Sequence, residues 1–170
     1  MIELTKARLE EARVLLGRLQ AEKFRQVQQA TPTASPAFLS LINDFITTAR
    51  TVIWVLESEE KEKYDAWSPR VVVDPTEQEI FDLVTKMRNS IEKRGQPGIE
   101  ARREQVEIPE NPHPVAGSQY FGLPDWGRPT TVIDVYYVEG TNHEIGSLCE
   151  QYLGILTRLI IDFEQTQART

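Results

Sequence analysis

The segment Met87-Arg88-Asn89-Ser90-Ile91-Glu92-Lys93 closes the third long helical pattern of the chain, just before a Gly/Pro-rich stretch. An arginine beside an asparagine, with a lysine five positions after the arginine, sets two cations about one turn apart near a helix end. Phosphate suits such a pair, because guanidinium offers a planar fork of donors and ammonium a point charge. The structural alternative is that basic groups in a last turn complement the helix dipole and cap its carbonyls. Arg50, one position after Ala49 in the second helical pattern, is the other candidate cation. It reads either as a snorkelling surface arginine or as a further charge in the pocket of Arg88.

No stronger motif competes. The chain contains no Walker A sequence, no Gly-x-Gly-x-x-Gly, no Gly-x-Ser-x-Gly and no His-Glu-x-x-His. His113 lies between prolines and His143 beside the start of the last helix, each without a second ligand nearby, so neither a metal nor a cofactor is expected. Glu57, Glu59 and Glu60 crowd together, yet no apolar surroundings are evident that would raise a carboxyl pKa for acid–base work. Cys149 is the one cysteine, which excludes an intrachain disulfide. Among Leu148, Tyr152 and Leu153 it reads as a buried, inert thiol.

The elements that must position these groups follow from periodicity. A first helix is expected over Glu3 to Gln29, with Leu9, Ala12, Leu16 and Leu19 on one face. Its Gln26 to Gln29 end is polar and is expected to project into solvent or meet a partner. Ser35-Pro36 supplies an N-cap and a first helical residue for a second helix. That helix carries the strongest stripe in the chain, Phe38, Ile42, Phe45, Ala49, Val52 and Leu56, and should be the central core helix. The charged run Glu57 to Lys63 reads as a solvated turn docked by Tyr64 and Trp67. Asp74-Pro75-Thr76-Glu77 is a capping box that starts the third long helix, with Ile80, Val84, Met87 and Ile91 inward and Arg88 and Lys93 off the stripe.

From residue 95 to 130 glycines alternate with prolines, so no long helix fits. Glu104 to Ile108 is expected as a short strand, and Thr130 to Val138 is the best strand of the chain. The two should pair as a small antiparallel ribbon, with Tyr120, Phe121 and Trp126 folded into the connection. The last helix should begin near Thr141, capped with Glu144, and show its apolar face to about residue 164 before a frayed tail. The expected fold is all-α: a bundle of four main helices with a short β-hairpin inserted before the last, in one domain over residues 1–170.

At 170 residues the chain is long enough to bury a real core, and 40% hydrophobic with 26% charged residues is ordinary globular composition. A formal charge of −7 argues against a dedicated nucleic-acid binder while leaving room for a local basic patch. The N-terminus alternates charged and apolar residues, and no uninterrupted apolar run approaches the roughly 20 residues of a membrane span, so a cytoplasmic protein is expected.

The order Phe38-Leu39, Phe45-Ile46, Ala49-Arg50, Val55-Leu56, Tyr64, Trp67, Asp74-Pro75, Phe81 and Met87-Arg88-Asn89 resembles the HEPN superfamily of helical-bundle proteins. The resemblance covers residues 36 to 94 and, more loosely, the closing helix from about 141. Members typically carry Arg-x-x-x-x-His at a helix end, often as Arg-Asn-x-x-x-His. It implies a homodimer paired through the Arg-Asn faces. In active relatives the arginine contacts the scissile phosphate and the histidine assists attack by the 2′-hydroxyl, without metal. Arg88 and Asn89 match that motif, but Lys93 stands in place of the histidine. A lysine with its ordinary pKa of about 10.4 is protonated at neutral pH, so it holds phosphate but is a poor general base.

The resemblance therefore implies an accessory protein of a prokaryotic stress or defence system that binds RNA or nucleotide phosphate without efficient cleavage. Arg88 and Asn89 would contact phosphate, with Lys93 and Arg50 adding charge, and no catalytic residue is assigned. Two alternatives remain open. One is an atypical metal-independent ribonuclease using the same residues. The other is a plain protein-interaction module working through the helix ends and the 95–130 segment, which the acidic total charge favours.

Overall fold

A computed structural model describes residues 2–108 and 129–168. The described chain is mostly helical, with a two-stranded antiparallel hairpin. The helices are α1 (Glu3–Gln28), α2 (Pro36–Glu59), α3 (Lys61–Trp67), α4 (Pro75–Arg94) and α5 (Ile145–Ala168), and the strands are β1 (Ile99–Glu107) and β2 (Thr130–Val138). Tyr120, Phe121, Trp126 and His113 lie outside the described residues.

The start signals work as the sequence predicts. Ser35 accepts the Phe38 N–H ahead of Pro36, and Asp74 and Glu77 close a reciprocal capping box around Pro75. α4 ends at Gly95, whose φ of +70° puts it in the left-handed region that costs other residues energy. The stripe of α2 is wholly buried from Phe38 to Leu56, and the helix touches α1, α3, α4 and α5. It is thus the central core helix. By length and composition α2 would also span a membrane, but here that apolar face lies against its neighbours.

α5 supplies the largest share of the remaining core, from Ile145 through Leu148, Tyr152, Leu156 and Leu159 to Phe163. Trp67 docks the short α3 onto it. Its ring stands edge-on to Phe163 at 5.3 Å, and its Nε1–H donates to Asp162 at 2.8 Å. The charged run before it is partly α2, which continues to Glu59, and partly the first turn of α3.

Four expectations need correction. The polar end of α1 is only partly in solvent: Gln28 and Gln29 are exposed, whereas Gln26 and Val27 are buried. Gln26 Nε2 donates to the carbonyls of Pro32 and Asp134, and Val27 is buried with Ile133 and Val135 against the hairpin. β1 begins at Ile99, five residues before the predicted start, because its charged stretch Glu100-Ala101-Arg102-Arg103 is held by the register to β2 rather than by its own β-propensity. α5 begins at Ile145 rather than Thr141, and the Glu144 carboxylate accepts the N–H groups of Gly146 and Ser147 at 3.1 and 2.9 Å. Thr141 instead holds the preceding turn, donating to the Val138 carbonyl and accepting the His143 N–H. Finally, α5 continues through Thr166 to Ala168, where a frayed tail was expected.

Candidate functional site

The positions singled out by the sequence divide between two places on α4. Arg88 lies off the Ile80, Val84 and Met87 stripe and is half-buried, on the side that meets α2. Its guanidinium carbon sits 5.2 Å from the centre of the Trp54 ring, and its Nη2 pairs with Glu92 one turn on. Arg50 reaches the same ring from α2, with its guanidinium carbon at 5.5 Å. Arg50 and Arg88 thus meet at one indole ring.

Trp54 was not singled out by the sequence. It follows Ile53, off the buried stripe of α2, and remains 47% exposed. The available signal was the i, i+4 spacing of Arg50 and Trp54, which places the two on one helix face. A large exposed aromatic with a cation over its ring is worth about 0.5–1 kcal/mol per contact at the surface. Two guanidiniums at one ring also repel each other, and among the described residues only Arg88 of the two has a carboxylate partner. Arg50 Nη1 is buried and has no hydrogen-bond partner among the described residues. Its charge falls on Tyr152, whose pKa burial pushes up to about 12 while Arg50 pulls it back down.

Trp54 also forms part of the wall of an open groove of about 530 Å³ between α1 and α2. Thr47, Thr48 and Thr51 line the groove with it, and Arg8 stands at the α1 side. The rim is fixed by Glu59, whose carboxylate accepts the N–H groups of Leu4 and Thr5 and the Thr5 hydroxyl, capping the start of α1. Burial raises the pKa of Glu59, but these donors outweigh it and hold the group below the usual carboxylate range. Glu59 is therefore a cap for the start of α1.

Asn89 and Lys93 face elsewhere. They line a second groove, of about 380 Å³, with Asp82, Lys86, Ser90, Arg94, Gly98 and Glu139. Arg88 is absent from its walls. Lys86 donates to the Glu139 carbonyl at 3.1 Å, and Arg94 approaches the Glu139 carboxylate at 3.8 Å. Lys93 is exposed and makes no ion pair among the described residues. Lys93 and Arg94 occupy the last turn of α4, where the negative end of the dipole favours cations and disfavours a bound anion. Arg88 is six residues before the helix ends, about 9 Å along the axis, beyond the reach of that effect.

The remaining candidates stay apart from both places. His143 meets Glu79 at 3.2 Å, and Glu79 is nine residues before Arg88, about 13 Å along α4. No group of three or more His, Cys, Asp or Glu side chains among the described residues is arranged to hold a metal. Cys149 is fully buried, and burial drives its thiol pKa far up, as expected of an inert thiol. The arrangement at Trp54 gathers two guanidiniums and one carboxylate, Glu92, around a half-exposed indole. No protein-family model matches this chain, and comparison with curated proteins and with solved structures returns no match.

Proposed function

We propose that this chain is a HEPN-like accessory protein that binds single-stranded RNA or nucleotide phosphate at Trp54, Arg50 and Arg88, without cleaving it. In this reading α1, α2, α4 and α5 are the four main helices of a HEPN-type bundle and the hairpin is an insertion before the last. A cytoplasmic role in a prokaryotic stress or defence system follows from the same reading, as does pairing of two copies through the Arg-Asn faces.

The observation that carries the proposal is the pair of guanidiniums sharing one half-exposed indole, with Arg50 Nη1 buried and unpartnered. Base stacking on aromatic rings beside basic side chains is how proteins hold single strands without reading sequence. The overall charge of −7 confines such binding to a local site of this kind. Inefficient cleavage is inferred from Lys93, a poor general base that lines a groove whose walls do not include Arg88.

The test is fluorescence anisotropy with a labelled single-stranded RNA and with a nucleotide, comparing wild type, Trp54→Ala and Arg88→Ala, alongside a gel assay for cleavage. Weakened binding in both variants and intact RNA throughout support the proposal. Unchanged affinity in both variants removes the phosphate role and leaves a protein-interaction module. Cleavage that disappears in Arg88→Ala instead establishes a ribonuclease.

A further inference from the structure

The hydroxyl of Ser90 is treated unlike other helical hydroxyls in this fold. Ser58, Thr157 and Thr166 each donate to the carbonyl four residues back, at 2.8, 2.8 and 2.9 Å. Ser90 Oγ is buried and has no hydrogen-bond partner among the described residues, and the residue is only 8% exposed. Ser90 lines the groove of about 380 Å³ between α4 and the Gly98 and Glu139 end of the hairpin. A glycine keeps the space beside it open. A Cβ on Gly98 would stand 3.3 Å from Ser90 Oγ and 3.4 Å from Glu139 Oε2.

Helical spacing gathers cations around that hydroxyl. Lys86 lies four residues before Ser90, Lys93 three after and Arg94 four after, and all three line the groove with Asn89. Lys86 uses one of its three donors on the Glu139 carbonyl, at 3.1 Å. Arg94 stands 3.8 Å from the Glu139 carboxylate, beyond hydrogen-bond distance. The groove's other carboxylate, Asp82, lies two turns further back and accepts from Gln78 at 2.9 Å. Around Ser90, three cations therefore meet one carboxylate. The negative end of the α4 dipole, roughly half an elementary charge, does not cancel that excess.

We propose that this groove binds a small, hydroxyl-bearing phosphate monoester, with Ser90, Asn89, Lys86, Lys93 and Arg94 donating to its phosphate. A monoester carries about −1.5 to −2 charges at neutral pH and three strong acceptor oxygens. That matches the local excess of cations and gives the Ser90 hydroxyl the acceptor it lacks. The Glu139 carboxylate, on an exposed side chain, stands in the ligand's place and turns aside when the phosphate enters. Glu139 and Asp82 accept only, so the rest of the ligand must supply donors, which hydroxyls do. The groove shares no lining residue with the one at Trp54, so neither proposal depends on the other.

Titration calorimetry of the full chain with ribose 5-phosphate, and with ribose as the uncharged control, tests the proposal. Wild type should bind ribose 5-phosphate one-to-one and ribose not at all. Ser90→Ala changes no charge and should weaken binding about 10-fold or more, as loss of a hydrogen bond to a charged group does. Its melting temperature should stay at or above that of wild type, because the deleted hydroxyl has no partner in the fold. Gly98→Ala fills the gap beside Ser90 and should weaken binding with every charge kept. Glu139→Gln removes the competing carboxylate and should tighten binding, a gain that misfolding cannot produce. A wild type that shows no saturable binding overturns the proposal. So does Ser90→Ala that binds like wild type while Lys93→Ala binds more weakly, the pattern of diffuse attraction to surface charge. Loss of ribose 5-phosphate binding in Trp54→Ala would put the phosphate at the other groove and overturn it equally.

Discussion

The cations at the base of the hairpin and those at Trp54 are of the same kinds but are treated in opposite ways. At the hairpin each has its own anion or carbonyl. Lys23 donates to Glu144 at 2.7 Å, Arg103 to Asp134 at 3.0 Å, and Arg102 to Glu100 and the Thr141 carbonyl. At Trp54 two guanidiniums share one ring, Arg88 alone is paired with a carboxylate, and Arg50 Nη1 has no partner among the described residues. Charges that only hold a fold together are neutralised where they stand, since an unpaired buried charge costs several kcal/mol. A charge left incompletely paired next to an exposed aromatic ring is a place where a ligand can supply the missing anion. The difference is what the proposed function rests on.

The comparison breaks most visibly at Trp54. Trp54→Ala should reduce affinity for single-stranded RNA by about 1–3 kcal/mol, or roughly 5- to 160-fold, with little change in thermal stability, because stacking on one aromatic contributes that much. Anisotropy and a melting curve on the same sample would show whether binding and folding separate. The reverse pattern is expected at the hairpin. Glu144→Ala should cost about 1–2 kcal/mol of stability, read by urea unfolding, since it removes the cap of α5 together with the partner of Lys23, and RNA affinity should stay unchanged.

Protonation gives a gentler version of the same experiment. Burial raises the pKa of Glu144, but the Lys23 ammonium and the N–H groups of Ser147 and Gly146 hold it below the ordinary range. A carboxyl with a depressed folded pKa contributes stability that is fully present above its unfolded pKa of about 4.3. That contribution should fade as pH falls below this value through the folded pKa. Wild type should lose stability in that window, and Glu144→Gln should show a flatter profile there. The smallest effect is expected at the other end of α4. Lys93→Ala should change RNA affinity by less than about twofold and leave its salt dependence intact, whereas Arg88→Ala should reduce the salt slope by about 0.7. Equal slopes for the two variants would erase the distinction between Arg88 at Trp54 and Lys93 at the end of α4.

Much of the helical frame was legible residue by residue. Ser35-Pro36, Asp74-Pro75-Thr76-Glu77 and Gly95 act locally, through hydrogen bonds within a few positions, so their meaning survives without knowledge of the fold. The stripes of α2 and α4 were equally clear, because burial there obeys helical period. β1 was legible only in its last residues, since a charged strand is identified by its partner and not by its own composition. Glu144 was read as the far half of a capping box and turned out to be the cap itself. The choice between Thr141 and Glu144 depended on the turn at Gly140, with φ of +74°, and on Lys23 arriving from α1.

The candidate site divides along the same line. Arg50, Arg88, Asn89 and Lys93 are visible as cations and amides in the sequence, and so is the replacement of a histidine by Lys93. Their placement off the apolar stripe follows from helical period alone. What required the tertiary structure was which of them meet. A residue's position around its own helix is set by local geometry, but the neighbour it faces is set by how helices pack. Packing brought Trp54 of α2 beneath Arg88 of α4 and turned Asn89 and Lys93 towards Gly98 and Glu139.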